Sequence, residues 1–289
     1  MPELPEVEVT RRAIEPQLAG RKLTGAELRV PALRYPIPSG LAGLIAGKTL
    51  RSVARRGKYL LFDFSSDVTP ASRHESALKP CFSSDGHLLL HLGMSGSLRL
   101  VTAGQPAEKH DHVDLVFGNT ALRLRDPRRF GALLWIEGDP AAHPLLAHLG
   151  VEPLSRRFSA EWLVAALAGR KAAIKPTLMD AHLVVGIGNI YASESLFLAG
   201  IDPRRAAGRV SAERLGRLVP AIRKILRTAI AAGGSSLRDF AHTNGELGCF
   251  QTHHRVYDRA GIPCTVCGTP IKAIRQGQRS TYFCPRCQR

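Results

Sequence analysis

Two cysteine pairs near the end of the chain constrain its fold more than any other feature. Cys264-x-x-Cys267 and Cys284-x-x-Cys287 are separated by 16 residues. A pair at this spacing sits on a tight turn that points both sulfurs at one tetrahedral ion. Four thiolates complete the coordination of a zinc ion, so the predicted metal is one structural Zn2+ with no open position for catalysis. The alternative is four unrelated thiols. Residues from about Gly245 onward hold few long apolar runs, so the metal can serve as their core. Between the pairs, Gly268 to Phe283 carries Lys272, Arg275 and Arg279 and no acid. This segment reads as a basic zinc-pinned hairpin suited to DNA, or as a solvated surface loop. The paired spacing also predicts metal in a reducing compartment rather than disulfides. Cys81 and Cys249 are left over and read as ordinary thiols.

The charge balance narrows the partner. Across 289 residues, 40 Lys and Arg oppose 24 Asp and Glu, a net charge of +16. Such a surplus steers in a polyanion, with nucleic acid the leading candidate and a merely basic protein the alternative. Aromatic residues are only 6% of the chain, which is poor material for stacking single-stranded bases, so duplex binding through phosphates fits better. The start of the chain is acidic and proline-bearing, unlike a secretory signal. No run of 18 apolar residues occurs, which argues against a membrane span. The length predicts two or three domains.

The pattern of elements changes twice. Pro5 suits a first helical turn, Glu6 and Glu8 favour its positive end, and Val7, Ile14 and Leu18 form one apolar stripe. Gly20 is the expected stop, with Pro16 expected to bend or end the helix earlier. From about Leu23 to Ile136, short β-like runs alternate with turns. Examples are Lys58–Phe64, His87–Leu92, Ser97–Val101, His112–Phe117, Ala121–Leu124 and Ala132–Ile136, and the pattern predicts a sandwich or barrel. Ser65 to Gly86 is polar and reads as a long loop. Beyond Gly138-Asp139-Pro140 the spacing turns helical over Glu161–Ala168, Ile174–His182, Ile190–Ala199 and Ser211–Ala232. No internal repeat is evident.

Several short motifs carry possible chemistry. Removal of Met1 would leave Pro2 with a free secondary amine, a nucleophile able to form an iminium with a sugar aldehyde carbon. Glu3 beside it supplies an acid/base group. The same residues also read as an ordinary solvated terminus. Gly186-Ile187-Gly188-Asn189 lacks the third glycine and the preceding strand of a dinucleotide fingerprint. A glycine turn entering a helix can still hold a phosphate on its free amides, with Asn189 as an added donor or simply as the cap. Gly93-Met94-Ser95-Gly96 and Asp126-Pro127-Arg128-Arg129-Phe130-Gly131 put a Met, an Arg and a Phe on turns. That is equipment for filling a gap in a base stack, or else core and salt-bridge material. Lys58 and His110-Asp111-His112 are unspecific alone, and a metal role for the histidines lacks a third ligand.

Together these residues resemble the bacterial formamidopyrimidine-DNA glycosylases, also called 8-oxoguanine DNA glycosylase/AP lyases. The resemblance rests on Pro-Glu-Leu-Pro-Glu-Val-Glu at 2–8, His-Leu-Gly-Met-Ser-Gly-Ser at 91–97 and Lys-His-Asp-His-Val-Asp at 109–114. It continues through Asp-Pro-Arg-Arg-Phe-Gly at 126–131, Ala-Ile-Lys-Pro at 173–176, Gly-Asn-Ile-Tyr-Ala-Ser-Glu at 188–194 and the zinc ribbon. Leu4 favours this branch over the sister endonuclease VIII group, which typically begins Pro-Glu-Gly-Pro-Glu.

The resemblance implies an α+β multidomain fold. An N-terminal helix and β-sandwich would span 1–138, a helix–two-turn–helix domain 139–245, and a C-terminal zinc-ribbon β-hairpin 250–289, with DNA in the cleft between the halves. It implies Pro2 as the nucleophile at C1′, Glu3 as proton donor for base release and ring opening, Lys58 as proton donor in β-elimination and Arg279 in δ-elimination. His110, Arg128 and Lys171 match DNA-binding positions. Met94, Arg128 and Phe130 match the residues that fill the space left by a flipped base, and Asn189 and Arg279 match phosphate clamps. The implied partner is double-stranded DNA with oxidised purine or abasic sites, met by a monomer in the bacterial cytoplasm, at the nucleoid, without a membrane. Two departures bear on lesion preference rather than chemistry. The Ser65–Gly86 loop is longer than usual, and Ser235-Ser236 stands where the family commonly has two threonines. A non-catalytic zinc-ribbon DNA-binding protein is the competing reading, and Glu3, Lys58 and Arg279 argue against it.

Overall fold

The structure, a computed structural model, describes residues 1–66, 86–235, 250 and 254–289. The long loop expected over Ser65–Gly86, the leftover Cys81 and Cys249, and the position of Ser236 therefore lie almost wholly outside the described residues. Among the described residues the chain forms two compact units. One holds Met1–Pro2 and Glu6–Ala147, and the other holds Glu3–Pro5, His148–Ser235 and the chain from Phe250 onward.

The first unit is a β-sandwich with a helix on its core. The helix α1 spans Leu4–Leu18. Its apolar stripe, Val7, Ile14 and Leu18, is fully buried in the sandwich core. Pro16 does not end it, contrary to expectation. A proline in the last turn forfeits a single backbone bond, Ala19 N–H still reaches Glu15 O at 2.9 Å, and buried Ile14 and Leu18 pin the turn. Gly20 then stops the helix with a φ of 81°.

Strand β1 (Gly25–Leu28) and the short helix α2 (Leu41–Ile45) precede β2 (Thr49–Arg56), β3 (Tyr59–Ser65) and β4 (Gly86–His91). Next come β5 (Ser97–Thr102), β6 (Asp111–Phe117), β7 (Thr120–Arg125) and β8 (Ala132–Ile136). One antiparallel sheet runs β1-β6-β7-β5 and the other β2-β3-β4-β8. Alternate residues face inward, as period-two strands require: Leu60, Phe62, Phe64, Leu88 and Leu90 meet Leu98, Val113, Leu115, Phe117, Leu122 and Leu124. All six expected strands are present. Two further strands lie in the same β-like region: β1, which is very short, and β2, whose basic and polar residues mask its inward Leu50 and Val53.

The second unit is helical. It contains α4 (Ala160–Leu167), α5 (Ile174–Leu178), α6 (Asn189–Ala199) and α7 (Ala212–Ala231), with the single turn α3 (Pro144–Ala147) ahead of them in the first unit. Ser159 and Ser211 cap α4 and α7 by accepting N–H bonds from Trp162 and Arg214. Helix α5 is half the expected length. The Met179 amide closes onto Lys175 O, and Asp180 Oδ1 takes His182 N–H at 3.0 Å to begin a new turn. The unit ends in β9 (Lys272–Gln276) and β10 (Arg279–Phe283), paired antiparallel from Gln276↔Arg279 to Lys272↔Phe283. Gly277 and Gln278 both have positive φ, 52° and 63°, the geometry of a two-residue hairpin turn. Among the described residues no helix is long and apolar enough to cross a membrane.

Candidate functional site

In the second unit the start of the chain is locked to the start of α6. The Glu3 carboxylate accepts the N–H of Gly188 at 2.8 Å and of Ile190 at 3.2 Å. It thereby caps α6 from far away in sequence and sits where the helix dipole favours a negative charge. Gly188 is glycine for a steric reason, since a Cβ there would lie 2.2 Å from the Glu3 carboxyl carbon. Leu4 N–H also bonds Gly186 O at 3.0 Å. Asn189 is consequently not the cap; it is the first residue of the helix, and its side chain is engaged elsewhere.

That engagement comes from Lys175, to which the sequence alone assigns no role. Its ammonium donates to Asn189 Oδ1 at 2.6 Å, Thr281 Oγ1 at 2.7 Å and Ser280 O at 3.0 Å. One buried cation thus joins α5, the head of α6 and the strand that begins with Arg279. Burial lowers the Lys175 pKa to about 8, the nearby Arg279 charge adds to the drop, and Glu3 opposes it. Burial raises the pKa of the Tyr257 hydroxyl, and the Asn189 amide opposes that rise. Tyr257 is fixed in turn by Glu194 on α6, whose carboxylate accepts the backbone N–H of Arg255, Val256 and Tyr257 at 2.8–3.0 Å. Glu3, Lys175, Asn189, Tyr257 and Arg279 therefore form one polar group, with Arg279 exposed beside it. Lys171 stands exposed in the α4–α5 loop, and no side-chain hydrogen bond joins it to that group.

The first unit carries Pro2, Lys58 and the turn residues. Pro2 is buried just ahead of α1. Lys58 is half-buried in the β2–β3 turn rather than at the start of the strand, and Gly57 supplies that turn's positive φ of 59°. Arg55 anchors the turn: its guanidinium donates to Gly57 O at 2.9 Å and to Glu8 Oε2 on α1 at 3.0 Å. Burial would raise the Glu8 pKa, but hydrogen bonds and charge from Arg11, Arg12 and Arg55 hold it at about 2. Next to Lys58 lies His91, whose pKa falls to about 4 through burial and the charges of Lys58 and Arg34. Its Nδ1 accepts Gly93 N–H at 2.9 Å, so the neutral ring carries its proton on Nε2 and offers a donor there.

Met94, Arg128 and Phe130 come together on two facing turns. Met94 is 36% and Phe130 45% exposed, unusual for large apolar side chains, and the Arg128 guanidinium lies over the Phe130 ring at 4.7 Å. The organiser is Asp126, fully buried, which accepts Ser95 Oγ–H at 2.9 Å, Gly131 N–H at 2.8 Å and Arg128 N–H at 3.3 Å. Gly93 lets the turns touch, since a Cβ there would be 2.4 Å from the Phe130 carbonyl carbon. His110 joins through its backbone, with O accepting Asp126 N–H at 3.0 Å and φ at 77°. His112 spends its Nε2 on Asp126 O at 2.9 Å, so that ring is committed to holding the turn.

The four cysteines converge as their spacing predicts. Their sulfurs all lie within 4.8 Å of one another, with Cys264–Cys287 at 3.9 Å and Cys267–Cys284 at 3.5 Å. Zinc–sulfur bonds of about 2.3 Å in a tetrahedron require sulfurs about 3.8 Å apart, so the site fits zinc. Backbone N–H groups of Val266 and Cys287 aim at the sulfurs of Cys264 and Cys284, which supports thiolates. This is one structural zinc centre, and it is the only cluster of metal-ligating side chains among the described residues.

Comparison with known proteins agrees with this anatomy. Residues 1–133 match the formamidopyrimidine-DNA glycosylase N-terminal domain, residues 149–241 the formamidopyrimidine-DNA glycosylase H2TH domain, and residues 261–289 the zinc finger found in FPG and IleRS. The chain is 55% identical over 289 residues to the formamidopyrimidine-DNA glycosylase of Aromatoleum aromaticum and 56% identical over 290 residues to that of Thiobacillus denitrificans, covering all of each. Among solved structures, a mutant Lactococcus lactis FPG in complex with Fapy-dG containing DNA superposes with a TM-score of 0.87 at 34% identity, covering 100% of both chains. The MutM (FPG) protein from Thermus thermophilus gives 0.84 at 36%, covering 99% of this chain and 98% of its own. The L. lactis protein is also solved with DNA containing an abasic site, at 0.86 and 34%, covering 99% of both chains. With the capped Glu3, the Asp126-built turns and the zinc ribbon all in place, the chain belongs to the formamidopyrimidine-DNA glycosylase family.

Proposed function

We propose that this chain removes oxidised purines, 8-oxoguanine and formamidopyrimidines, from duplex DNA and then cuts the abasic strand by β,δ-elimination. The Pro2 amine attacks C1′, the glycosidic bond breaks, and the departing base takes a proton. Glu3 serves that proton transfer and the opening of the sugar ring. The resulting iminium acidifies C2′. Loss of its proton expels the 3′ phosphate, assisted by Lys58, and a second elimination at the 5′ phosphate is assisted by Arg279. The chemistry lies in the imine, and the zinc contributes only the rigidity of the hairpin that carries Arg279.

The observation that supports this most is the Glu3 carboxylate fastened to the amides of Gly188 and Ile190. A carboxylate next in sequence to an amine nucleophile is thereby held in one place, as a group that must meet a specific proton has to be. Asn189 and His91 would donate to backbone phosphates, Lys175 fixing the Asn189 amide so that its nitrogen points away. His110, Arg128 and Lys171 would add phosphate contacts, and Met94, Arg128 and Phe130 would occupy the space left by the extruded nucleotide. We read 1–138 as the catalytic part, 139–245 as the DNA-gripping helical part and 250–289 as the zinc finger.

Incision of a duplex with one 8-oxoguanine, beside the same duplex undamaged, tests the reading. Cleavage leaving phosphate at both ends of the gap is expected. Binding of the damaged duplex without cleavage would refute it.

A further inference from the structure

The end of α6 remote from Asn189 carries a pocket that the proposed chemistry does not use. Eleven residues separate the two ends, about 15 Å of helix. The cavity, about 520 Å³, is lined only by residues of the second unit. Its floor is apolar: Phe197 and Leu198 from the last turn of α6, and Val266 from the first zinc knuckle. Val266 is 69% exposed, the most of any large apolar residue among those described. Its rim is cationic, with Arg214 and Arg217 from the first turns of α7 and Arg255 from the loop held by Glu194.

These cations are not consumed by the fold. Arg217 makes only an exposed i,i+4 pair with Glu213 at 2.6 Å, a contact of small worth. Arg214 makes its one side-chain hydrogen bond among the described residues to the Arg289 main-chain oxygen. The exposed Arg255 side chain has no hydrogen-bond partner among the described residues. A DNA backbone would satisfy the rim but has nothing to bury against an apolar floor. A peptide satisfies both when carboxylates flank one large apolar side chain, because the apolar group anchors in the hollow while the acids sit on the rim.

We propose that this pocket docks an acidic segment of a partner protein, with an apolar side chain seated on Phe197 and Val266 and its carboxylates on Arg214, Arg217 and Arg255. The face would couple the enzyme to another protein while the Asn189 end of α6 remains free for DNA.

The test uses the zinc-loaded full chain and a fluorescein-labelled peptide, a run of aspartates ending in Leu-Phe, followed by anisotropy at about 100 mM salt. Saturable binding is expected. The double variant Arg214→Glu/Arg217→Glu should weaken it about tenfold while DNA incision stays within about twofold. Arg214 lies in the first turn of α7, where an acid is favourable, and Arg217 is exposed, so these changes should leave α7 folded. Val266→Glu, at an exposed position, is an independent variant expected to lose the peptide to a similar degree. Replacing Leu-Phe by Ala-Ala should also weaken binding several-fold. Absence of binding, equal binding by the variants, equal binding of the Ala-Ala peptide, or displacement of the peptide by undamaged duplex would each overturn the proposal. The last two outcomes would assign the pocket to unspecific charge attraction or to the DNA track.

Discussion

The Glu3 carboxylate accepts the Gly188 amide at 2.8 Å, and the Cβ that Gly188 lacks is what makes room for it. Gly188→Ala should therefore evict Glu3 rather than unfold the helix, because the displaced atoms are the end of a flexible side chain. Base excision should fall by about 100-fold, the usual range for a lost acid/base group. The melting temperature should move by only a few degrees. Single-turnover excision beside a thermal melt checks this, and a collapse of both together would mean that Gly188 matters for packing instead.

The lowered pKa of Lys175 predicts a pH dependence of DNA binding. Its value in the folded chain, about 8, lies below the ordinary 10.5. The folded protein therefore releases the proton first, and stability relative to the unfolded chain rises between pH 8 and 10.5. Function moves the other way. Above pH 8 the neutral amine holds Asn189 and the β10 strand less firmly, so affinity for an abasic duplex should drop there. Lys175→Arg should shift that alkaline limb upward. A binding profile from about pH 7 to 10 decides it, and an unchanged limb in the variant would count against Lys175 as the titrating group.

Glu8 predicts the acid side. Its value of about 2 lies below the ordinary 4.5, so its stabilisation is complete above pH 4.5 and disappears as pH falls toward 2. Glu8→Gln should cost about 1–3 kcal/mol at neutral pH, after allowance for solvent screening, and almost nothing near pH 2. The variant also loosens Arg55 from the Lys58 turn. Cleavage of a preformed abasic site should then slow more than base release does. Urea melts at several pH values, with lyase rates at neutral pH, test both parts.

Phe130→Ala should leave stability nearly unchanged, since the ring is 45% exposed, yet lower lesion excision by about tenfold through lost stacking. Asp126→Ala should do worse on both counts, because three bonds that shape the two turns converge on that carboxylate.

Much of this was legible in the sequence, and the exceptions share a cause. Local signals were read correctly: the cysteine spacing, the period-two strands and the stripe on α1. Contacts between distant segments were not. Glu3 capping α6 joins residues 185 apart, and nothing near Asn189 reveals that its cap comes from elsewhere. Lys175 lies inside a mostly apolar helical stretch and looks like a surface lysine until its three acceptors are seen. Asp126 reads as a turn residue, and only the facing turn around Ser95 shows it as a hub. A lone charged residue next to a buried apolar run, as at Lys175, is the signal that could have been followed. Pro16 does not break α1, because the helix-breaking cost of proline applies to the helix interior, whereas this proline sits in a last turn fastened by Ile14 and Leu18.

The amine of Pro2 is proposed to form the covalent bond to DNA. Borohydride trapping on an abasic duplex tests it directly, with peptide mapping of the adduct. The chain with Met1 removed should trap the strand, with the reduced sugar on the Pro2 nitrogen, and a chain that retains Met1 should trap almost none. An adduct mapped to Lys58 or Lys175, or equal trapping when the Pro2 nitrogen is blocked, would contradict the account.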